Sequence, residues 1–81
     1  MITHEWRDQT EKGVIRFVRA KKYGDHWTLQ SRLKSEDHWT NLDPIPRSDL
    51  EQLREILFNK YQRRRVPYKD IEHIDALLAK H

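Results

Sequence analysis

The stretch that decides the fold is His26–Lys34, with the sequence HWTLQSRLK. Its larger apolar residues, Trp27, Leu29 and Leu33, alternate with polar ones. A period of two is typical of a β-strand that turns one face to the core and the other to water. A β-rich stretch precedes it at 14–22, and a shorter one follows at 38–42. We therefore predict a central strand over 26–34 with a neighbour on each side.

The turn before this strand fixes its register. Gly24 and Asp25 suit a two-residue hairpin loop, because glycine readily takes the positive φ that such a loop requires. Tyr23 would then pair with His26, and every pairing further along the two strands follows. Together with the flanking strands, this register predicts a core-facing set of Trp6, Val14, Val18, Ala20, Trp27, Leu29, Leu33 and Trp39.

The placement of Trp39 depends on the next loop. A two-residue loop would put Trp39 opposite Arg32 on the polar face, whereas a three-residue loop at 35–37 puts it opposite Leu33 on the core side. Burying an indole is worth about 2–3 kcal/mol, more than the difference between two loop types, so we predict the longer loop. The tetrapeptide DHWT occurs at 25–28 and again at 37–40. We interpret it as two strands that begin alike rather than as a duplicated binding motif.

The first residues predict an edge strand at 2–8, where Ile2, His4 and Trp6 alternate with polar residues. A short helix capped by Thr3 is the alternative. After the fourth strand, two prolines between residues 43 and 47 end the sheet, because proline cannot donate a hydrogen bond to it.

Two helices are predicted in the second half of the chain. Ser48 and Glu51 form a capping-box pattern that would start a helix over 48–64. Pro67 ends it, since the residue before a proline avoids the α region, and a second helix follows over 68–80. The core-facing residues predicted from the 3.6-residue period are Leu50, Leu53, Ile56, Leu57, Tyr61, Ile71, Ile74, Leu77 and Leu78.

This order of elements, strands first and helices last, predicts an α+β fold. The whole chain, 1–81, is expected to form a single small domain. It would consist of an antiparallel three- to four-stranded β-meander (strands about 2–8, 14–22, 26–34 and 38–42) followed by two helices packed on one face (about 48–64 and 68–80).

Composition excludes several classes of protein. The 81 residues include no cysteine, which rules out disulfides and thiolate metal sites. No run of apolar residues reaches the length of a membrane span, and the start, MITHEWRD, lacks the basic and apolar regions of a signal peptide. We therefore expect a cytoplasmic protein without a membrane partner.

Catalytic signals are missing from the sequence. It has no phosphate-binding glycine loop, no nucleophile elbow and no HExxH motif. The five histidines are scattered along the chain, and so short a chain has little room for a ligand pocket. We expect no enzyme activity, no catalytic residue, no cofactor and no metal.

The predicted polar face of the sheet is the most informative surface. It carries five Lys/Arg against one Glu around Ile15 and a central Phe17. Cations that surround an aromatic ring are typical of single-stranded nucleic acid binding. The alternatives are a solvated face that resists aggregation and a protein-interaction or homo-oligomerisation surface centred on Ile15 and Phe17. The candidate residues for binding nucleic acid or an acidic protein partner are Arg7, Phe17, Arg19, Lys21, Arg32 and Lys34.

Three further candidates are Arg63, Arg64 and Arg65, near the end of the first predicted helix. Cations in the last turn of a helix offset its negative end, at about 0.3–1 kcal/mol each. Three in a row exceed that need, so a phosphate or an acidic partner is the functional alternative.

Overall fold

The computed structural model of the protein describes residues 2–24 and 26–81. It contains a four-stranded antiparallel sheet followed by two helices, which confirms the predicted α+β class. The strand order in the sheet follows the order in the chain, as in a meander. The elements are β1 (Ile2–Gln9), β2 (Ile15–Tyr23), β3 (His26–Leu33), β4 (Thr40–Asn41), α1 (Arg47–Gln62) and α2 (Tyr68–Ala79).

The chain divides into two compact units, Met1–Pro44 with the strands and Ile45–His81 with the helices. It remains a prediction that the two units form one domain, with the helices packed on one face of the sheet. Among the described residues, neither helix is long and apolar enough to span a membrane.

The register between β2 and β3 is the predicted one. Tyr23 pairs with His26, and Ala20 pairs with Leu29. Gly24 has the positive φ of 58° that the tight loop requires, while Asp25 lies outside the described residues. Because this register sets which side chains share a face, four of the predicted core residues are buried: Val18, Ala20, Trp27 and Leu29.

The edge strand β1 is confirmed, and the alternative of a helix at 2–8 is wrong. Its residues pair with β2 along their whole length, with His4 opposite Ala20. His4 is buried and stacks on Trp27 with ring centroids 5.9 Å apart. Near the other end, Arg16 donates two hydrogen bonds to the Asp8 carboxylate, of 2.9 and 2.7 Å, so this cross-strand ion pair is bidentate.

The prediction for Trp39 is wrong. In β4, Asn41 pairs with Gln30 and Thr40 pairs with Ser31, which is the register of the rejected two-residue loop. The connection itself is longer, and β4 covers only Thr40–Asn41 instead of 38–42. Trp39 precedes β4 and lies on the polar face, where its contacts with arginine side chains replace the burial that we expected.

Glu36 forms two hydrogen bonds with Leu33 at the end of β3, and these help to fix the longer connection between β3 and β4. The Glu36 N–H donates to the Leu33 carbonyl oxygen at 2.9 Å, and a Glu36 carboxylate oxygen accepts from the Leu33 N–H at 2.7 Å. A further difference concerns Val14, which precedes β2 and is 39% exposed rather than core-facing.

The helices begin at prolines rather than at a capping box. Pro46 precedes α1 with φ −61°, and Pro67 precedes α2 with φ −76°, so both are N-caps without a side-chain cap. Ser48 lies inside α1, which makes the capping-box prediction wrong. In both helices the third residue is a buried aspartate, Asp49 in α1 and Asp70 in α2. At this position the positive end of the helix dipole stabilises the negative charge of the carboxylate.

The helices contact each other as a hairpin within their own unit. Arg54 of α1 forms an ion pair with Asp75 of α2, and the hydrogen bond together with the charge of Asp75 raises the pKa of Arg54 above its ordinary value. The fully buried apolar residues of this unit are Leu50, Leu53, Leu57, Ile71 and Ile74, while Ile56, Leu77 and Leu78 are half-buried.

The end of α1 departs from prediction at Tyr61. We expected Tyr61 in the buried stripe, but it is 40% exposed and lies against Tyr68, with ring centroids 5.1 Å apart. The helix ends at Gln62 instead of continuing to residue 64.

Candidate functional site

The polar face of the sheet brings five of the predicted site residues together. Because side chains alternate along a strand, the confirmed registers place them on one surface. Across the strands, Arg7 is opposite Phe17, and Phe17 is opposite Arg32. We call this surface the cationic face, and its residues are Arg7, Phe17, Arg19, Lys21, Arg32 and the unpredicted Trp39.

Aromatic rings and guanidinium groups alternate at the centre of the cationic face. The Arg32 Cζ lies 4.9 Å from the centroid of the Phe17 ring and 5.3 Å from that of Trp39. The Arg19 Cζ lies 4.1 Å from the Trp39 ring. These are cation–π distances, each worth about 0.5–1 kcal/mol at an exposed site. We call Phe17, Arg19, Arg32 and Trp39 the arginine–aromatic stack.

Hydrogen bonds hold both guanidinium groups of the stack in place. Arg19 Nε donates to Gln30 Oε1 at 2.7 Å, and Gln30 Nε2 donates to Asn41 Oδ1 at 2.6 Å. Arg32 donates to the Glu36 carbonyl oxygen at 3.0 Å. A guanidinium has five N–H donors, so each arginine keeps donors for a ligand. The site is therefore partly preorganised.

The side chains of the other cations on this surface are available to a ligand. Arg7 and Lys21 make no side-chain ion pair or hydrogen bond within 2–24 and 26–81, and the same is true of Lys34. Lys34 follows the end of β3, where its backbone N–H donates to the Ile15 carbonyl oxygen and its side chain is exposed. The surface thus offers three cations that form no ion pair within the described ranges, while Glu5 lies across from Arg19 on the same face.

The remaining predicted candidates, Arg63, Arg64 and Arg65, belong to the helical unit. All three are exposed, and they follow the end of α1 instead of lying in its last turn, where the cation is Lys60. The structure therefore gives two groups of candidate residues, one in each unit.

Trp39 is the functional residue that the sequence reasoning misplaced. The signal was present, because a two-residue loop would have put Trp39 opposite Arg32. Gln30 and Asn41, which position Arg19, were not recognised, since an amide in a strand gives no chemical signal until the register of its neighbours is known.

Within 2–24 and 26–81, the structure contains no group of three or more His, Cys, Asp or Glu side chains that could hold an ion.

Comparisons with known proteins give no further assignment, because no protein-family model, no curated protein and no solved structure matches this chain.

Proposed function

We propose that this protein is a non-enzymatic module that binds single-stranded nucleic acid on its cationic face. The observation that carries the proposal is the arginine–aromatic stack with free cations on the same surface. Phosphates pair with Lys and Arg, while bases stack on aromatic rings and on guanidinium planes. A cytoplasmic location remains the prediction from sequence.

The arrangement favours a single strand over a duplex. In a duplex the faces of the bases are covered by their neighbours, so the rings of this surface would have no base face to stack on, and the contacts would be limited to the backbone and the base edges in the grooves. In a single strand the bases can leave the stack and lie against Trp39 or Arg32. Base–aromatic stacking contributes about 1–3 kcal/mol per base and depends little on sequence. We therefore expect broad specificity.

The structure favours this proposal over an apolar protein interface. That alternative needs Ile15 and Phe17 to form an exposed apolar centre. Instead, both residues are half-buried, and the Arg32 guanidinium lies over the Phe17 ring. An apolar partner surface would have to displace or desolvate that charge, whereas a phosphate would pair with it.

Salt dependence tests the phosphate contacts. For a single strand, log K should fall linearly with log salt, with a slope of about −0.7 for each phosphate contact. We expect Lys21→Gln to make this slope shallower by about 0.7. The measurement is fluorescence anisotropy of a labelled oligothymidine at several salt concentrations.

Lys12→Gln is the matched control, since Lys12 is an exposed lysine in the turn between β1 and β2. It removes the same charge and should leave the slope unchanged. If the oligonucleotide fails to bind even at low salt, or if both variants change the slope equally, the cationic face is not the binding site.

A further inference from the structure

A pocket lies at the turn between α1 and α2. Its volume is about 360 Å³, and it is lined by Tyr61, Arg64, Arg65, Val66 and Pro67. Ligand pockets usually measure about 300–1,000 Å³, so this one is at the lower end of the range. It is an open depression rather than an enclosed cavity, since four of its five lining residues are exposed. We call it the helical-turn pocket.

The backbone of this turn is of a kind that normally contains glycine. The Arg64 N–H donates to the Tyr61 carbonyl oxygen and the Arg65 N–H to the Lys60 carbonyl oxygen, both at 2.8 Å. This pair of bonds is a Schellman motif, whose left-handed residue is most often glycine. Here it is Arg64, with φ 60°. The left-handed conformation strains a residue that has a side chain by about 1 kcal/mol. Glycine would end the helix without this strain, so the helix end alone does not explain the arginine.

The charge of the pocket is unbalanced. Within the described ranges, neither Arg64 nor Arg65 forms a side-chain ion pair, and both are exposed. A guanidinium matches the geometry of a carboxylate or phosphate through two parallel N–H donors. The pocket is therefore complementary to an anion.

The walls of the pocket select among anionic ligands. Val66 and Pro67 present aliphatic groups, and the Tyr61 ring lies against Tyr68 at an angle of 57°. Because the Tyr61 ring already lies against Tyr68, the free wall is formed by Val66 and Pro67, and their aliphatic groups suit an apolar side chain better than the flat face of a base. The combination of two cations and an aliphatic wall fits a peptide with carboxylates beside an apolar residue.

We propose that the helical-turn pocket binds an acidic segment of a partner protein, whose carboxylates pair with Arg64 and Arg65 while an apolar side chain contacts Val66 and Pro67. This site belongs to the helical unit and uses none of the residues of the cationic face. Its success or failure is thus separate from that of the nucleic-acid proposal.

The probe is a short fluorescein-labelled peptide in which a leucine lies between two pairs of glutamates, titrated with the full chain. Two control peptides replace the glutamates by glutamines or the leucine by serine. We expect the first replacement to abolish binding and the second to weaken it about tenfold, as for loss of a buried apolar group.

Arginine variants locate the site. Arg65→Gln should lower the affinity for the peptide about tenfold, since it removes a charge-assisted contact. Arg63→Gln is the matched control, because Arg63 is exposed and carries the same charge but does not line the pocket. It should change the affinity less than about twofold, as expected of a screened surface charge.

Arg64→Gly separates binding from folding. Glycine takes the left-handed conformation without strain, so the variant should melt at a higher temperature than the wild type. It should nevertheless bind the peptide about tenfold more weakly, which unfolding could not explain.

Three results would overturn the proposal. The first is no anisotropy change with the glutamate–leucine peptide at millimolar protein. The second is an equal loss of affinity from Arg63→Gln and Arg65→Gln, which would indicate general attraction between charges. The third is that the protein fails to bind the peptide, while Arg65→Gln lowers the affinity for an oligothymidine and Arg63→Gln does not. That result would make the pocket a nucleic-acid site.

Discussion

Trp27→Ala is expected to lower the free energy of unfolding by about 3–5 kcal/mol, the range for removing a large aromatic side chain from a core. Trp27 is only 4% exposed, lies in an inner strand of the sheet and stacks on the buried His4. Its removal would leave a cavity that the paired strands cannot close. A loss of this size is a large share of the stability of so small a protein. Urea denaturation followed by circular dichroism measures it.

Phe17→Ala is the contrasting variant for this prediction. Phe17 is in the neighbouring strand but on the opposite face, where it is half-buried. We expect a cost of about 1 kcal/mol, typical of a partly exposed site. If Phe17→Ala destabilises the protein as much as Trp27→Ala, the two residues do not lie on faces of different character.

Trp39→Ala should have the largest effect on nucleic-acid affinity. It removes the ring that contacts both Arg19 and Arg32, and with it both a stacking surface and the support of two guanidinium groups. Since base–aromatic stacking is worth about 1–3 kcal/mol, the dissociation constant for oligothymidine should rise about 5- to 150-fold. Anisotropy titration at one fixed salt concentration measures this change.

Phe58→Ala is the control for that titration. Phe58 is an exposed aromatic residue, 37% accessible, but it lies in α1. Its removal should leave the affinity unchanged. Equal losses from the two variants would show that aromatic content, rather than the position of Trp39, determines binding.

The sheet could be predicted from sequence wherever one strong local rule decided the register. Gly24 made a two-residue loop possible, and the apolar alternation around Trp27 and Leu29 left a single register compatible with it. The same alternation at His4 and Trp6 favoured a strand for β1 but left a helix capped by Thr3 open, and the pairing with β2 decided between them.

Trp39 shows why the rest of the sheet was not predictable. The argument weighed the burial of the indole but not its contacts with Arg19 and Arg32, which exist only once three strands are assembled. The two copies of DHWT place their tryptophans differently. Trp27 is the second residue of a strand and faces the core, whereas Trp39 lies in a loop and faces the cations.

The helical unit shows a second kind of limit. The apolar period placed both helices within a few residues, but their ends depended on the local backbone. Pro46 took the place of the predicted capping box, and Arg64 adopted the left-handed conformation that usually requires glycine. The arginines were consequently assigned to a last helical turn in which they do not lie.

The most direct test of the cationic face is a two-dimensional NMR titration of the ¹⁵N-labelled protein with oligothymidine. The indole N–H signals of Trp27 and Trp39, assigned with Trp→Phe variants, report on the two faces of the sheet separately. We predict that the Trp39 indole signal and the backbone amides of Phe17 and Arg32 shift on binding, while the buried Trp27 indole does not. Shifts that are confined to α1 and α2, or that leave the Trp39 signal unchanged when the oligonucleotide is bound, would contradict the assignment of the binding site.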